Sequence, residues 1–187
     1  MRFDLSSGEV TRLFPGSASF NIQSCSAGGL VADSDNTSIK VRNMMTKSET
    51  IIHKGRPSAP FLSHDGRWVA FQEAIGNGAT ALYVVSSEGG PARELARVKA
   101  PAQFSAPRGI GWSPDDRFVY FLTKPDANAP SELFRVPAAG GAQESTGLTW
   151  PNLRRLEIAP DGKRIILEGS VFEAEIWAME NWLPPAK

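Results

Sequence analysis

Three stretches of this chain of 187 residues repeat one short pattern. They are "SHDGRWVAF" at Ser63–Phe71, "SPDDRFVYF" at Ser113–Phe121 and "APDGKRIIL" at Ala159–Leu167. Aligned on Asp65, Asp115 and Asp161, the copies lie 50 and 46 residues apart. Each reads as a tight turn followed by an apolar run. Proline presets the φ of a type I turn, Asp bonds nearby backbone N–H groups, and Gly66 and Gly162 supply positive φ. Asp116 stands where the other two copies have glycine, and Asp is among the better non-glycine residues there. The runs "WVAF", "FVYFL" and "RIIL" are apolar without alternation, so both faces of these strands should be covered. Repeats of about 40–50 residues, each holding several strands, have the pattern of propeller blades with four antiparallel strands apiece.

The other strands fall in the same order in each copy. "APFLS", "GIGWS" and "RLEIA" precede the turns, and Ala81–Val85, Glu132–Val136 and Glu175–Met179 follow the apolar runs. After a Gly-rich turn come "ARELA" and "AQEST", polar enough for an outer edge strand. A fainter copy supplies Gly29–Asp33, Ser38–Asn43 and Glu49–His53, and its turn "SAGG" lacks the Asp. Earlier still, "RFDLSSGEVTRLF" reads as a third strand, a turn at Ser6–Gly8 and a fourth strand. The expected fold is all-β: a β-propeller of four-stranded antiparallel blades, with about four blades or an open partial ring. It forms one domain over 1–187, with blades near 15–56, 57–104, 105–150 and 151–182, and 1–14 as a partial or closing blade. In a closed ring Glu9–Phe14 would pair beside Glu175–Met179, because closure removes exposed edges.

Composition narrows the function classes. Lys and Arg number 20, and so do Asp and Glu, giving a formal charge of zero and none of the basic excess of a nucleic-acid binder. Cys25 is the one cysteine, so no internal disulfide is available. With only His53 and His64 beside it, no zinc site is expected, and neither is any other metal or cofactor. No run approaches the ~18 apolar residues of a membrane helix. The opening "MRFDLSSGEV" lacks the apolar region of a secretory signal. The expected compartment is cytoplasmic if the chain is complete, and periplasmic becomes open if an N-terminal part is missing.

"GWSPDDRFVYF", with Trp112, Ser113, Pro114 and Asp115, "LSHDGRWVAF", "IAPDGKRIIL" and "LYVVSSEGGPARELA" resemble the TolB-like propeller repeats, a WD-repeat-like family. The resemblance covers nearly the whole chain, with His64 in place of Pro and Ala159 in place of Ser. Propellers of that family have more blades than this chain supplies. The resemblance therefore implies the C-terminal part of a longer propeller, open-faced and able to self-associate. The end "EIWAMENWLPPAK" is also similar to bacterial proteins that carry such a propeller behind a kinase or winged-helix DNA-binding domain. No motif of either domain stands in this chain.

Candidate sites are few. Asp65, Asp115 and Asp161 recur at equivalent positions, so each is expected to serve its own turn with Gly66 or Gly162. A calcium site would need about six converging oxygens, which the spacing does not suggest. Trp68 and Trp177 are expected in the core. Trp112 and Trp150 precede turns or loops and could line the central end of the ring, with packing between blades the favoured role. Glu73–Thr80 and Thr123–Ser131 read as long loops, the first made mobile by Gly76, Asn77 and Gly78. Arg56, Gln103, Arg108, Trp112 and Arg154 form a candidate rim for an acidic partner. The chain lacks a G-x-S-x-G elbow, an H-E-x-x-H pair and a P-loop, so no enzyme is expected. The expected function is a non-catalytic module for a protein or peptide partner. The alternative is an accessory propeller of a prolyl-oligopeptidase-type peptidase or a bacterial kinase or winged-helix regulator.

Overall fold

The computed structural model describes residues 2–3, 5–11, 24–26, 28–35, 37–105, 108–159 and 161–169. Trp177 and Trp182 lie outside the described residues, as do Glu175–Met179 and residues 12–14 of the expected closure between Glu9–Phe14 and Glu175–Met179. Among the described residues every regular element is a strand. They form five antiparallel sheets in chain order.

A short pair, β1 (Arg2–Phe3) and β2 (Val10–Thr11), comes first. The next sheet runs β3 (Ser24–Cys25), β4 (Leu30–Ser34), β5 (Ser38–Asn43) and β6 (Glu49–Lys54). The second full sheet runs β7 (Pro57–Leu62), β8 (Trp68–Gly76), β9 (Ala79–Ser86) and β10 (Arg93–Lys99). In the third, β11 (Gln103–Phe104) and β12 (Ile110–Trp112) both pair with β13 (Phe118–Lys124), followed by β14 (Ser131–Pro137) and β15 (Glu144–Trp150). A last pair joins β16 (Leu153–Ile158) to β17 (Ile165–Gly169).

This meander follows from the sequence order of turn, apolar run and Gly-rich turn. The boundary placed at residue 104 moves, because Gln103 and Phe104 pair with Lys124 and Thr123 of β13. The inner strand of the third sheet is thus made in two pieces. Glu73–Thr80 is a hairpin and not a long loop. Gly76 pairs with Ala79, and Asn77 and Gly78 between them have φ of 51° and 68°. Positive φ at both central positions is the type I′ turn that an Asn-Gly pair favours, because its twist matches the strands it joins.

The core lies between the sheets in three layers. Side chains along β8 alternate between two of them: Val69 and Phe71 face the preceding sheet with Ile39, Val41 and Val85, while Ala70 faces the following one with Leu82, Phe121 and Trp112. β13 behaves alike, sending Val119 and Phe121 to one side and Leu122 to a third layer with Leu133, Leu153 and Leu156. Period-two alternation with apolar residues at both phases is what a sheet sandwiched between two others requires. The outermost β15 is exposed at every position, as an edge strand should be. In β10 a bulge between Glu94 and Ala96 breaks the alternation and lets Leu95 and Ala96 both be buried.

Candidate functional site

The repeated turns are small hydrogen-bond frames. Ser63 hydroxyl donates to Asp65 Oδ1 (2.7 Å) and accepts from the Trp68 N–H (3.0 Å), while Asp65 Oδ1 also accepts from the Arg67 N–H (2.9 Å). Ser113, Asp115, Arg117 and Phe118 repeat the arrangement at 2.6, 3.2 and 2.9 Å. In the last copy Ala159 has no hydroxyl, and among the described residues Asp161 accepts from Lys163 N–H and Arg164. In the first, Ser26 accepts from the Leu30 N–H without an Asp. Burial works against the Asp65 charge, but the Arg67 N–H, the Ser63 hydroxyl and the Arg67 guanidinium outweigh it and hold its carboxyl below the usual range. The Ser113 hydroxyl, followed by the Arg117 N–H, lowers Asp115 in the same way. These carboxylates are spent on their own turns.

The fourth turn position does more than turn the chain. Gly66, Asp116 and Gly162 all have positive φ, at 74°, 55° and 67°. Each also meets the preceding sheet's turn. A Cβ on Gly66 would stand 3.0 Å from Ser26 Oγ, and one on Gly162 would stand 3.3 Å from Pro114 Cγ. Asp116 reaches instead with its carboxylate, accepting from the N–H groups of His64 and Asp65 (2.9 Å each) and meeting His64 Nδ1 at 2.8 Å. Sequence reasoning saw the φ requirement and missed the contact across sheets. The inner strands are tied as well. Leu62 N–H donates to Ser24 Oγ, Trp112 Nε1 donates to the Phe61 carbonyl, and Leu156 N–H donates to the Arg108 carbonyl.

Of the five rim residues, Trp112 lies out of a partner's reach. It is only 3% exposed in the packing between sheets, and its indole N–H is taken by the Phe61 carbonyl. Arg56, Arg108 and Arg154 are exposed at the starts of consecutive inner strands, the end opposite the Ser–Asp turns. The Arg56 N–H donates to Glu73 Oε1, whose other oxygen lies 3.0 Å from His53 Nε2. Arg108 forms a parallel bridge with Arg155, and Gln103 is held in β11. None of Arg56, Gln103, Arg108 and Arg154 lines the groove at the other, turn end of the sheets.

An open groove of about 590 Å³ lies at the turn end, between the second and third full sheets. Trp68, Arg93, Asp116, Arg117, Phe118 and Pro137 are among the residues that line it. Trp68 was expected in the core, yet it is 37% exposed. It is the first residue of β8, and the sheet-to-sheet sandwich begins one residue later, at Val69. Arg93 crosses from β10 to donate through Nη1 to the Ala138 carbonyl (3.0 Å). Trp150, at the end of β15, is 59% exposed and lies away from this groove. Among the described residues no three His, Cys, Asp or Glu side chains are grouped to hold a metal ion, and no helix is long and apolar enough to cross a membrane.

No family model matches the chain, and neither does any curated protein. Solved structures do match in fold. One is an oligogalacturonate lyase in complex with manganese, at TM-score 0.70 and 13% identity, covering 91% of this chain and 53% of that one. TolB from Acinetobacter baumannii matches at TM-score 0.64 and 16% identity, over 87% of this chain and 41% of TolB. A structure from a study of two prolyl endopeptidases matches at TM-score 0.55 and 13% identity, over 80% and 25%. The chain has the TolB-like propeller fold, all-β with four-stranded antiparallel sheets. It spans about half the length of the lyase and less of the other two.

Proposed function

We propose that the chain is a non-catalytic propeller module, a segment of a larger propeller protein, that binds a protein or peptide at the turn end of its sheets. The observation that carries this reading is the groove between the second and third full sheets, where an exposed Trp68 stands beside Arg93 and Arg117. Tryptophan and arginine are the residue types that dominate binding energy at protein interfaces. The frame beneath is rigid: the turns on both sides are fixed by Ser–Asp hydrogen bonds and clasped by Asp116. A partner therefore meets a preformed surface and loses little to ordering it. The test is selection of a displayed random peptide library on the immobilised full chain, with heat-denatured chain as the blank. Enrichment on the folded chain alone is the expected result. Equal recovery on both surfaces would sink the reading.

A second reading makes the same propeller an accessory domain of an enzyme, with the catalytic residues supplied outside this chain. Its support is the fold shared with the prolyl endopeptidase structure, whose length this match fills to only 25%. A hydrolase or kinase motif in the same reading frame would favour it. A full-length reading frame without one would count against it.

A further inference from the structure

We propose that the groove between the second and third full sheets takes a peptide segment in which an acidic residue neighbours an aromatic one. The carboxylate is held by Arg117 and Arg93, and the aromatic ring lies against Trp68 and Pro137. This rests on the binding-module reading above and adds the place and the chemistry of the ligand.

Four observations converge on it. At the equivalent position of the next copy, Phe118 is half-buried beneath the Arg135 guanidinium, 4.8 Å from the ring centroid. Among the described residues no cation covers Trp68, which is 37% exposed and lines the groove. The equivalent cations differ too. Arg67 closes a salt bridge with its own Asp65 at 2.6 Å, whereas Arg117 bonds Asp115 only through its backbone N–H and closes no salt bridge among the described residues. Arg93 is already held against the groove wall by the Ala138 carbonyl, which uses one of its five N–H groups. The one carboxylate that lines the groove, Asp116, bonds His64 and Asp65 and closes no salt bridge with the two arginines among the described residues. Each wall of the groove therefore offers both an apolar surface and a guanidinium, Trp68 with Arg93 on one and Phe118 and Pro137 with Arg117 on the other, and guanidinium forks match a carboxylate bidentately. A nucleic-acid strand fits less well, because two guanidinium groups make no extended basic track for a phosphate backbone and the chain has no net positive charge.

The experiment uses the full chain. Peptides enriched in the library selection are read for composition, labelled and titrated by fluorescence anisotropy at low and high salt. A designed probe alternating aspartate with phenylalanine is titrated beside its lysine-for-aspartate counterpart. The variants are W68A, R117E and K99E, the last an exposed charge at the far end of β10. The expected result is enrichment of acidic–aromatic peptides that bind the wild type and bind W68A and R117E at least about tenfold more weakly. Binding should weaken with salt, and K99E should leave it unchanged. R117E lies on the surface, so its loss of binding with an unchanged melt separates recognition from folding. Peptides that lack acidic residues, or that bind W68A and R117E like the wild type, would overturn the groove assignment and leave the module reading standing. No enrichment at all would overturn both. Displacement of the bound peptide by a short oligodeoxythymidylate would name a polyanion as the occupant and overturn the proposal.

Discussion

Replacing Asp116 with glycine restores the residue that the other two turns carry, so local propensity favours the change. The structure predicts the opposite. The φ of 55° at Asp116 is left-handed, and relieving it gains at most about 1–2 kcal/mol, less for Asp than for most residues. Glycine's greater freedom in the unfolded chain takes back about 0.4–1 kcal/mol. Those two terms nearly cancel. What remains is the carboxylate that bridges to the neighbouring sheet, with the His64 and Asp65 N–H groups at 2.9 Å and His64 Nδ1 at 2.8 Å. Hydrogen bonds to a charged group contribute about 1.5–3 kcal/mol each, and here water can replace part of that, since both donors lie on an exposed turn. The net loss in D116G is therefore about 2 kcal/mol. At about 2–4 °C per kcal/mol for a chain of this size, the melting temperature should fall by about 4–8 °C. Thermal melts by circular dichroism, with urea titrations of wild type, D116G, H64A and the double variant, measure both the loss and the coupling. H64A alone keeps the backbone donors and should cost less than about 1 kcal/mol. A D116G chain that melts at or above the wild type would refute the clasp between turns.

Trp112→Ala should cost about 3–5 kcal/mol, because it empties a buried site between two sheets, and Trp112→Phe should cost less, losing mainly the Phe61 hydrogen bond; urea titration reads both. Arg42→Met should cost about 3–5 kcal/mol in the same assay, since it strips the partner from Asp33, which is 2% exposed. Burial raises the Asp33 carboxyl, with Arg42 opposing it, so this group's contribution declines as pH rises from its unfolded value near 3.8 through its higher folded value. Asp65 and Asp115 run the other way. Their lowered folded values give stability that is present above the unfolded value of 3.8 and is lost as pH falls below it, so D65N/D115N should show a flatter acid limb in melts between pH 5 and 2 than the wild type.

Much of the architecture was legible because the repeat puts the same local physics in the chain several times. Ser38–Asn43 was read as a strand and is one to the residue, and the fainter first copy keeps its turn through Ser26 despite lacking the Asp. The Asn77–Gly78 hairpin was also written in the sequence, as an Asn-Gly pair between apolar runs, but glycine's freedom was given more weight than the strand twist that selects a type I′ turn. The candidate site was much less legible. Trp68 and Trp112 look alike in a linear reading, one beginning an apolar run and the other ending a short one. One opens onto a groove and the other is sealed against Phe61. The five-residue rim drew together positions that share a place in the repeat, and of these Trp112 is sealed between sheets, which its place in the repeat does not reveal.

The sequence by itself determined the strands, their antiparallel order, the Ser–Asp turns and the two-sided burial of the second strands. Those follow from period-two patterning and from hydrogen bonds spanning two to five residues, which the chain encodes locally. Tertiary structure alone decided which side chains meet between sheets. Asp116 reaches a turn 51 and 52 residues earlier, Trp112 donates to a carbonyl 51 residues away, and Arg93 crosses to a carbonyl 45 residues on. Such contacts depend on how one sheet is set against the next. That setting comes from the packing of whole apolar faces, and no short stretch of sequence contains it.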